Sequence, residues 1–342
     1  MCVIKVHSSA FWYYMSFGVV CDYIHLLKTT KGKSMKIKVL LFFTASVILA
    51  ACDDSENPFA YQKNAHGRGT TEIFVDESFK PLMETSIDVF ESQYPKANIV
   101  AKYKTEGDII QDFYDDKVKT ICISRDFTKK EKDELVKLQM QVRSDMIALD
   151  GVALIINMEN MDSMITVPRL KEILTSKKQT WKTSGEEIKV VFDNKFSSNF
   201  NFILDSLHLR NHGKLSPNAF AAHSNKEVIE YVKSHKNAMG IIGLNWISDQ
   251  DDFEVMNFLD GIRVMNVSRT EDGEYLKPYQ GYIFTKEYPL TRSIWMINKA
   301  GKSTVNSGFI IFLTGEKGQL IVQKSELVPA RSPVRLIQIN QE

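Results

Sequence analysis

Cysteine is scarce in this chain and badly placed for bridges. The 342 residues hold four, Cys2, Cys21, Cys52 and Cys122, with no Cys-x-x-Cys pair and no Cys/His cluster at zinc spacing. Three of the four fall in the N-terminal segment, so the body keeps only Cys122 and can form no internal disulfide. Within Thr120-Ile121-Cys122-Ile123-Ser124 that thiol reads as a buried small hydrophobe. An excess of positive charge is lacking too. Beyond residue 52 the chain carries 37 basic and 41 acidic side chains, whereas a surface that grips a nucleic-acid backbone leans the other way. Also missing are a Gly-x-Ser-x-Gly turn, a Walker loop, a His-Glu-x-x-His helix and any paired His/Asp metal cluster. No serine at a candidate helix start has an identifiable base partner. These absences argue against an enzyme, a bound metal, a cofactor and nucleic acid as a partner. Repeats and low-complexity tracts are absent as well.

What remains is a composition of 44% hydrophobic and 25% charged residues, over a length that suits two ordinary lobes. From Met35 the chain reads Lys36 and Lys38, an apolar stretch from Val39 to Ala50, then Leu49-Ala50-Ala51-Cys52. The apolar stretch is too short for a stable membrane span. This run resembles a bacterial lipoprotein signal, residues 35–52, which implies an acylated Cys52, residues 53–69 as a tether, and a protein anchored on the periplasmic side of the cell envelope. Residues 1–34 precede a complete signal, and the expectation is that translation begins at Met35.

Beyond the tether, periodicity predicts strand 71–75, a helix from Phe79 to Tyr94 with Ser78 as its N-cap, strand 99–103, a helix to Tyr114, strand 120–124 and helix 129–138. This β-α-β-α-β-α order argues a mainly parallel, covered sheet. The apolar run 146–157 suits a long strand passing between lobes. Thr166 is expected to cap helix 167–174. Strands are then predicted at 189–192, 238–243, 261–267, 281–285 and 336–339, and helices at 201–207, 226–235, 305–313 and 316–323. The tryptophans Trp181, Trp246 and Trp295 read as packing residues, His212 and His223 as loop residues, and Lys129–Lys137 as a solvated face.

Read in order, several of these segments resemble the phosphate-binding receptors of ABC transporters, the PstS family. They are Asp150-Gly151-Val152-Ala153-Leu154-Ile155-Ile156-Asn157, Ile165-Thr166-Val167 with Trp181 after it, Ala238-Met239-Gly240-Ile241-Ile242-Gly243, and above all Tyr288-Pro289-Leu290-Thr291-Arg292. The resemblance spans roughly residues 70–340. It implies a two-lobed type 2 periplasmic-binding-protein fold, each lobe a mainly parallel sheet flanked by helices, joined by two crossing segments. One lobe would hold residues 70–154 and 246–342, the other 155–245. The implied activity is capture of inorganic phosphate by hinge closure and delivery to an ABC permease, by a protein expected to act as a monomer. The alternative is a receptor or sensor for another oxyanion such as sulfate or molybdate.

An anion needs no cationic pocket where free N–H groups at a helix start point at it. Three turns qualify. Ser78-Phe79 matches the family's hydroxyl-Phe turn. Ser124-Arg125 matches its Ser-Asp turn with Arg in place of Asp; a guanidinium fork can grip an oxyanion but cannot accept its proton, so Asp126 or Asp193 is the substitute acceptor. Ser197-Ser198-Asn199 corresponds to the family's Ser-Gly-Thr turn, with Asp193 where the family has an upstream Arg. The expected ligands are therefore Ser78, Phe79, Ser124, Arg125, Ser197, Ser198 and Asn199.

Overall fold

The computed structural model describes residues 66–211, 214–248 and 253–331. The expected signal segment with Cys52, most of the tether and the strand at 336–339 lie outside the described residues. Strand β1 (Arg68–Asp76) shows why the first lobe needs cover on both faces. Ile73 and Val75 point into one core with Leu82, Met83 and Phe90 of helix α1 (Lys80–Gln93). Phe74 points the other way, into a second core with Ile109 and Phe113 of helix α2 (Glu106–Tyr114). A strand alternates its side chains, so apolar residues at successive positions require helices on both sides. Strands β2 (Lys96–Lys104) and β3 (Thr120–Ile123) flank β1 in parallel. Cys122 in β3 is fully buried, as expected. Helix α3 (Lys129–Lys137) opens with a capping box between Thr128 and Glu131 and buries only Leu135, which leaves its lysine-rich face solvated.

The 15-residue strand β4 (Arg143–Asn157) joins the lobes. Its first part pairs antiparallel with β11 (Thr291–Asn298) as far as Gly151. From Val152 it pairs antiparallel with β8 (Ala238–Gly243) of the second lobe. Strand β6 (Lys189–Phe192) lies parallel to β8 and to the short edge strand β7 (Ala219–Ala221). The main sheet therefore runs β2-β1-β3-β11-β4-β8-β6-β7, with β9 (Ile262–Val264) and β12 (Val328–Pro329) also on β4. A separate parallel pair joins β5 (Met164–Thr166) to β10 (Asn266–Ser268). Thr166 caps helix α4 (Val167–Thr175), as expected, by accepting from the Arg169 N–H. Helices α5 (Ser198–Ser206) and α6 (Asn225–Ser234) carry Ser197 and Ser224 as N-caps. Helix α6 sits directly on β8 at Gly240, where a Cβ would come within 2.7 Å of Val228.

Three expectations need correction. Ser78 is not a helix cap: the chain passes through a 3-10 turn (Glu77–Phe79) whose N–H at Ser78 is capped by the Asp76 carboxylate. The apolar run 281–285 forms the short helix α8 (Gln280–Phe284) instead of a strand, since a five-residue apolar run has no distinguishing period. The predicted strand 261–267 is two strands, β9 and β10, on different partners. After α8 and β11 come helix α9 (Val305–Thr314) and helix α10 (Glu316–Lys324). Helix α7 (Phe253–Leu259) precedes β9. No helix of the described residues is long and apolar enough to cross a membrane.

Candidate anion site between the lobes

The turns after β1 and β6 face each other. Asp76, at the end of β1, is fully buried. Its Oδ1 accepts from the Ser78 N–H at 2.9 Å and from the Ser198 hydroxyl at 2.7 Å; its Oδ2 accepts from the Ser198 N–H at 3.1 Å. Ser198 is the first residue of α5, where backbone N–H groups lack intrahelical partners. Arg292 donates from Nη1 to the Ser198 hydroxyl at 3.0 Å, while its Nε and Nη2 lie 2.8 Å from Asp150 Oδ2. Arg292 and Asp150 are direct partners across the β11–β4 ladder. The guanidinium rests 4.7 Å above the ring of Phe79, which is also fully buried.

Asp193, at the end of β6, gathers the remaining hydroxyls and amides. It accepts from Ser197 Oγ at 2.6 Å, Ser78 Oγ at 3.3 Å, Asn199 Nδ2 at 3.0 Å and Asn225 Nδ2 at 3.2 Å. Glu77 reaches the start of α6, accepting from the Asn225 N–H at 3.2 Å and from its side-chain amide. Gly243 lies at the floor, where a Cβ would come within 3.0 Å of both Arg292 Nη2 and the Ser78 carbonyl oxygen. Asn245 Nδ2 donates to that same carbonyl at 2.6 Å.

Of the residues expected in the site, Ser78, Phe79, Asp193, Ser197, Ser198 and Asn199 therefore come together. Ser124, Arg125 and Asp126 are bound to other partners, away from the Asp76 and Asp193 carboxylates. The Ser124 N–H and hydroxyl both donate to the buried Glu106, at 3.0 and 2.6 Å. Arg125 forks onto Glu131 with two bonds of 2.8 Å, and Asp126 pairs with Lys132 at 2.5 Å. The guanidinium expected to grip an anion is thus spent on the first turn of α3. Asp76, Glu77, Glu106, Asn225 and Arg292 were not anticipated. Arg292 lay inside the quoted Tyr288–Arg292 segment, and Asp76-Glu77 immediately precede Ser78.

Burial sets the electrostatics. It pushes the Asp193 carboxyl up to about 6, with help from the neighbouring Asp76 charge. Burial likewise pushes Glu77 up to about 7, against the hydrogen bonds from Asn225. Glu106 and Asp150 are raised for the same first reason, Asp150 against the attraction of Arg292. Among the described residues no group of three or more His, Cys, Asp or Glu is arranged to hold a metal ion. Beside the cluster opens a cavity of about 640 Å³, walled by Tyr103, Lys104, Asp108 and Gln111 of the first lobe and by Asp193, Asn194, Ser197 and His223 of the second, with Glu77 between.

A family model described as a PBP superfamily domain matches residues 61–317. No curated protein matches the sequence. Among solved structures, the chain is similar to a protein of Clostridium perfringens assigned as a phosphate ABC transporter substrate-binding protein and solved with phosphate bound. That match has 22% identity and a TM-score of 0.65, covering 77% of this chain and 100% of the other. An ABC-type phosphate transport receptor of Vibrio cholerae matches at 17% identity and a TM-score of 0.57, over 75% of this chain and 99% of the other. These likenesses show the fold alone, an α/β fold of the type 2 periplasmic-binding-protein kind. With three quarters of its length covered by the family model, the chain belongs to the periplasmic-binding-protein (PBP) superfamily.

Proposed function

We propose that the chain is the extracytoplasmic receptor of an uptake system, tethered through an acylated Cys52, which captures a small oxyanion of the phosphate class between its lobes and hands it to an ABC permease. One observation carries the ligand class: donors from both lobes already converge on an oxyanion, the Asp76 carboxylate. The Ser78 N–H comes from one lobe, the Ser198 N–H and hydroxyl from the other, and Arg292 backs the Ser198 hydroxyl. The titration of the neighbours supports a dependence on acidity. Protonation of Asp193 near 6 and of Glu77 near 7 removes two repelling charges, and a neutral carboxyl can donate to an anion. Oxyanion affinity should therefore rise as pH falls through this window. Two like charges about 4 Å apart cost about 4 kcal/mol at an effective dielectric of about 20, so the difference should be large. Lobe closure follows from donors on both sides binding one ligand, which favours the closed state by its differential affinity.

A second reading rests on the cavity beside this cluster. Glu77, Asp108 and Asp193 line it, and Asp112 is neutralised by Lys104 and Lys117. A solute carrying an ammonium group would meet carboxylates there. Calorimetric titration of the full chain with phosphate, sulfate and a small diamine, at about pH 5.5 and about pH 8, separates the readings. Phosphate binding that tightens in acid supports the first. Diamine binding that tightens in base, with no anion bound, replaces it.

A further inference from the structure

The cleft is bridged by the chain's own acids. Asp76 and Glu77 are consecutive residues of the first lobe, and they send their carboxylates to the starts of two separate helices of the second, Asp76 to Ser198 of α5 and Glu77 to Asn225 of α6. The Phe196 carbonyl adds a third bridge by accepting from the Gly107 N–H at 3.1 Å. We propose that Asp76 is an internal stand-in for the ligand: its carboxylate fills the oxyanion seat of the cleft, and a solute binds there only by displacing it. This proposal rests on the oxyanion reading given above.

The geometry supports the assignment in three ways. The two Asp76 oxygens take three donors from opposite lobes, as two oxygens of a tetrahedral oxyanion would. Asp76 is fully buried and is the last residue of β1, where it caps the 3-10 turn, so the backbone itself holds its carboxylate in the seat. The neighbouring charges are acidic or already paired: Asp193 and Glu106 are buried nearby, and the guanidinium that reaches Ser198, Arg292, is shared with Asp150. A tethered group competes at a high effective concentration, so a free anion meets a strong rival. Asp76 thereby sets a threshold that excludes weakly held anions and holds the lobes together without a ligand.

The test is titration of wild type, Asp76→Ala and Asp76→Asn full-length protein with inorganic phosphate, sulfate and acetate, alongside thermal unfolding. Removing the carboxylate should raise phosphate affinity at least tenfold. Acetate, which restores the missing group, should raise the Tm of Asp76→Ala and leave wild type unchanged. If Asp76→Ala does not fold, Asp76→Asn keeps the side-chain volume without the charge and should still bind phosphate more tightly than wild type. Equal phosphate affinity in wild type and variants would overturn the stand-in role while leaving the oxyanion reading intact. Failure of wild type and both variants to bind any of the three anions would remove both.

Discussion

Two hydroxyl-bearing turns follow buried strands in this protein, Ser124-Arg125 after β3 and Ser197-Ser198 after β6, and their partners differ in kind. Around Ser124 every charged group is satisfied locally. Glu106 takes the serine from 18 residues away, and Glu131 takes Arg125 from six residues away, within one lobe. Around Ser198 the partners are remote: Asp76 lies 122 residues away and Arg292 94 residues away, both in the opposite lobe. A turn whose donors are claimed by near neighbours is a structural joint. A turn whose donors are claimed across a cleft can exchange its partner when the cleft opens. The hydroxyls alone do not distinguish the two; the carboxylate that claims them does.

The comparison breaks most visibly at Arg292. It and Asp150 form a fully buried pair, so Arg292→Met leaves an unpaired carboxylate in the floor of the cleft. The expected loss is about 3–5 kcal/mol in urea unfolding, with most of it recovered in Arg292→Met/Asp150→Leu, because well-packed apolar residues can replace a buried pair. Failure of the double variant to recover stability would mean that the contact to Ser198 matters more than the pair.

Acidity should act next, on the same side of the comparison. The folded state holds Asp193 and Glu77 above their ordinary values, so it binds more protons than the unfolded chain between about pH 4 and 7. Their contribution is fully present below pH 4 and is lost as pH rises through about 6 and then about 7. For Asp193 this amounts to on the order of 3 kcal/mol. Thermal unfolding followed from pH 5 to 8 should show a falling Tm, and Asp193→Asn should flatten the slope. A smaller effect is expected for Ser197→Ala, which removes the cap on the Phe200 N–H and a donor to Asp193. That costs about 1–2 kcal/mol of stability and, by taking a donor from the Asp193 carboxylate, favours its neutral form and so tightens anion binding near neutral pH, whereas Ser124→Ala should leave anion binding unchanged.

Much of the fold could be read from the residues because its signals are local. Strand 238–243 lies where the apolar run placed it, and the helix expected at 79–94 runs from Lys80 to Gln93. Strand β11 escaped because an inward-facing position carries Arg292, which breaks the apolar alternation until Asp150 is known to lie opposite. The cleft was legible only by half for a related reason. Ser78, Ser197 and Asn199 advertise themselves at helix and turn starts, but nothing local tells which acid will reach them. Tyr288-Pro289-Leu290-Thr291-Arg292 carried a structural meaning that the structure makes plain. Tyr288 donates to the Val152 carbonyl at 2.8 Å, Leu290 accepts from the Val152 N–H, and Arg292 pairs with Asp150, so the segment clamps the crossing strand where it changes lobes.

Arg125 gives the finest test of the comparison because the residue itself suggested the opposite role. Its guanidinium is about one third exposed and bound to Glu131, so Arg125→Ala should cost at most about 1 kcal/mol, as for a surface pair. Anion affinity should be unchanged, since no donor of the Asp76 seat is touched. Salt should erase what stability difference there is, because exposed pairs are screened at a Debye length of about 3 Å in 1 M salt. A loss of phosphate affinity in Arg125→Ala that survives high salt would show that Arg125 leaves Glu131 for the ligand in an open form, and the two turns would then belong to one site.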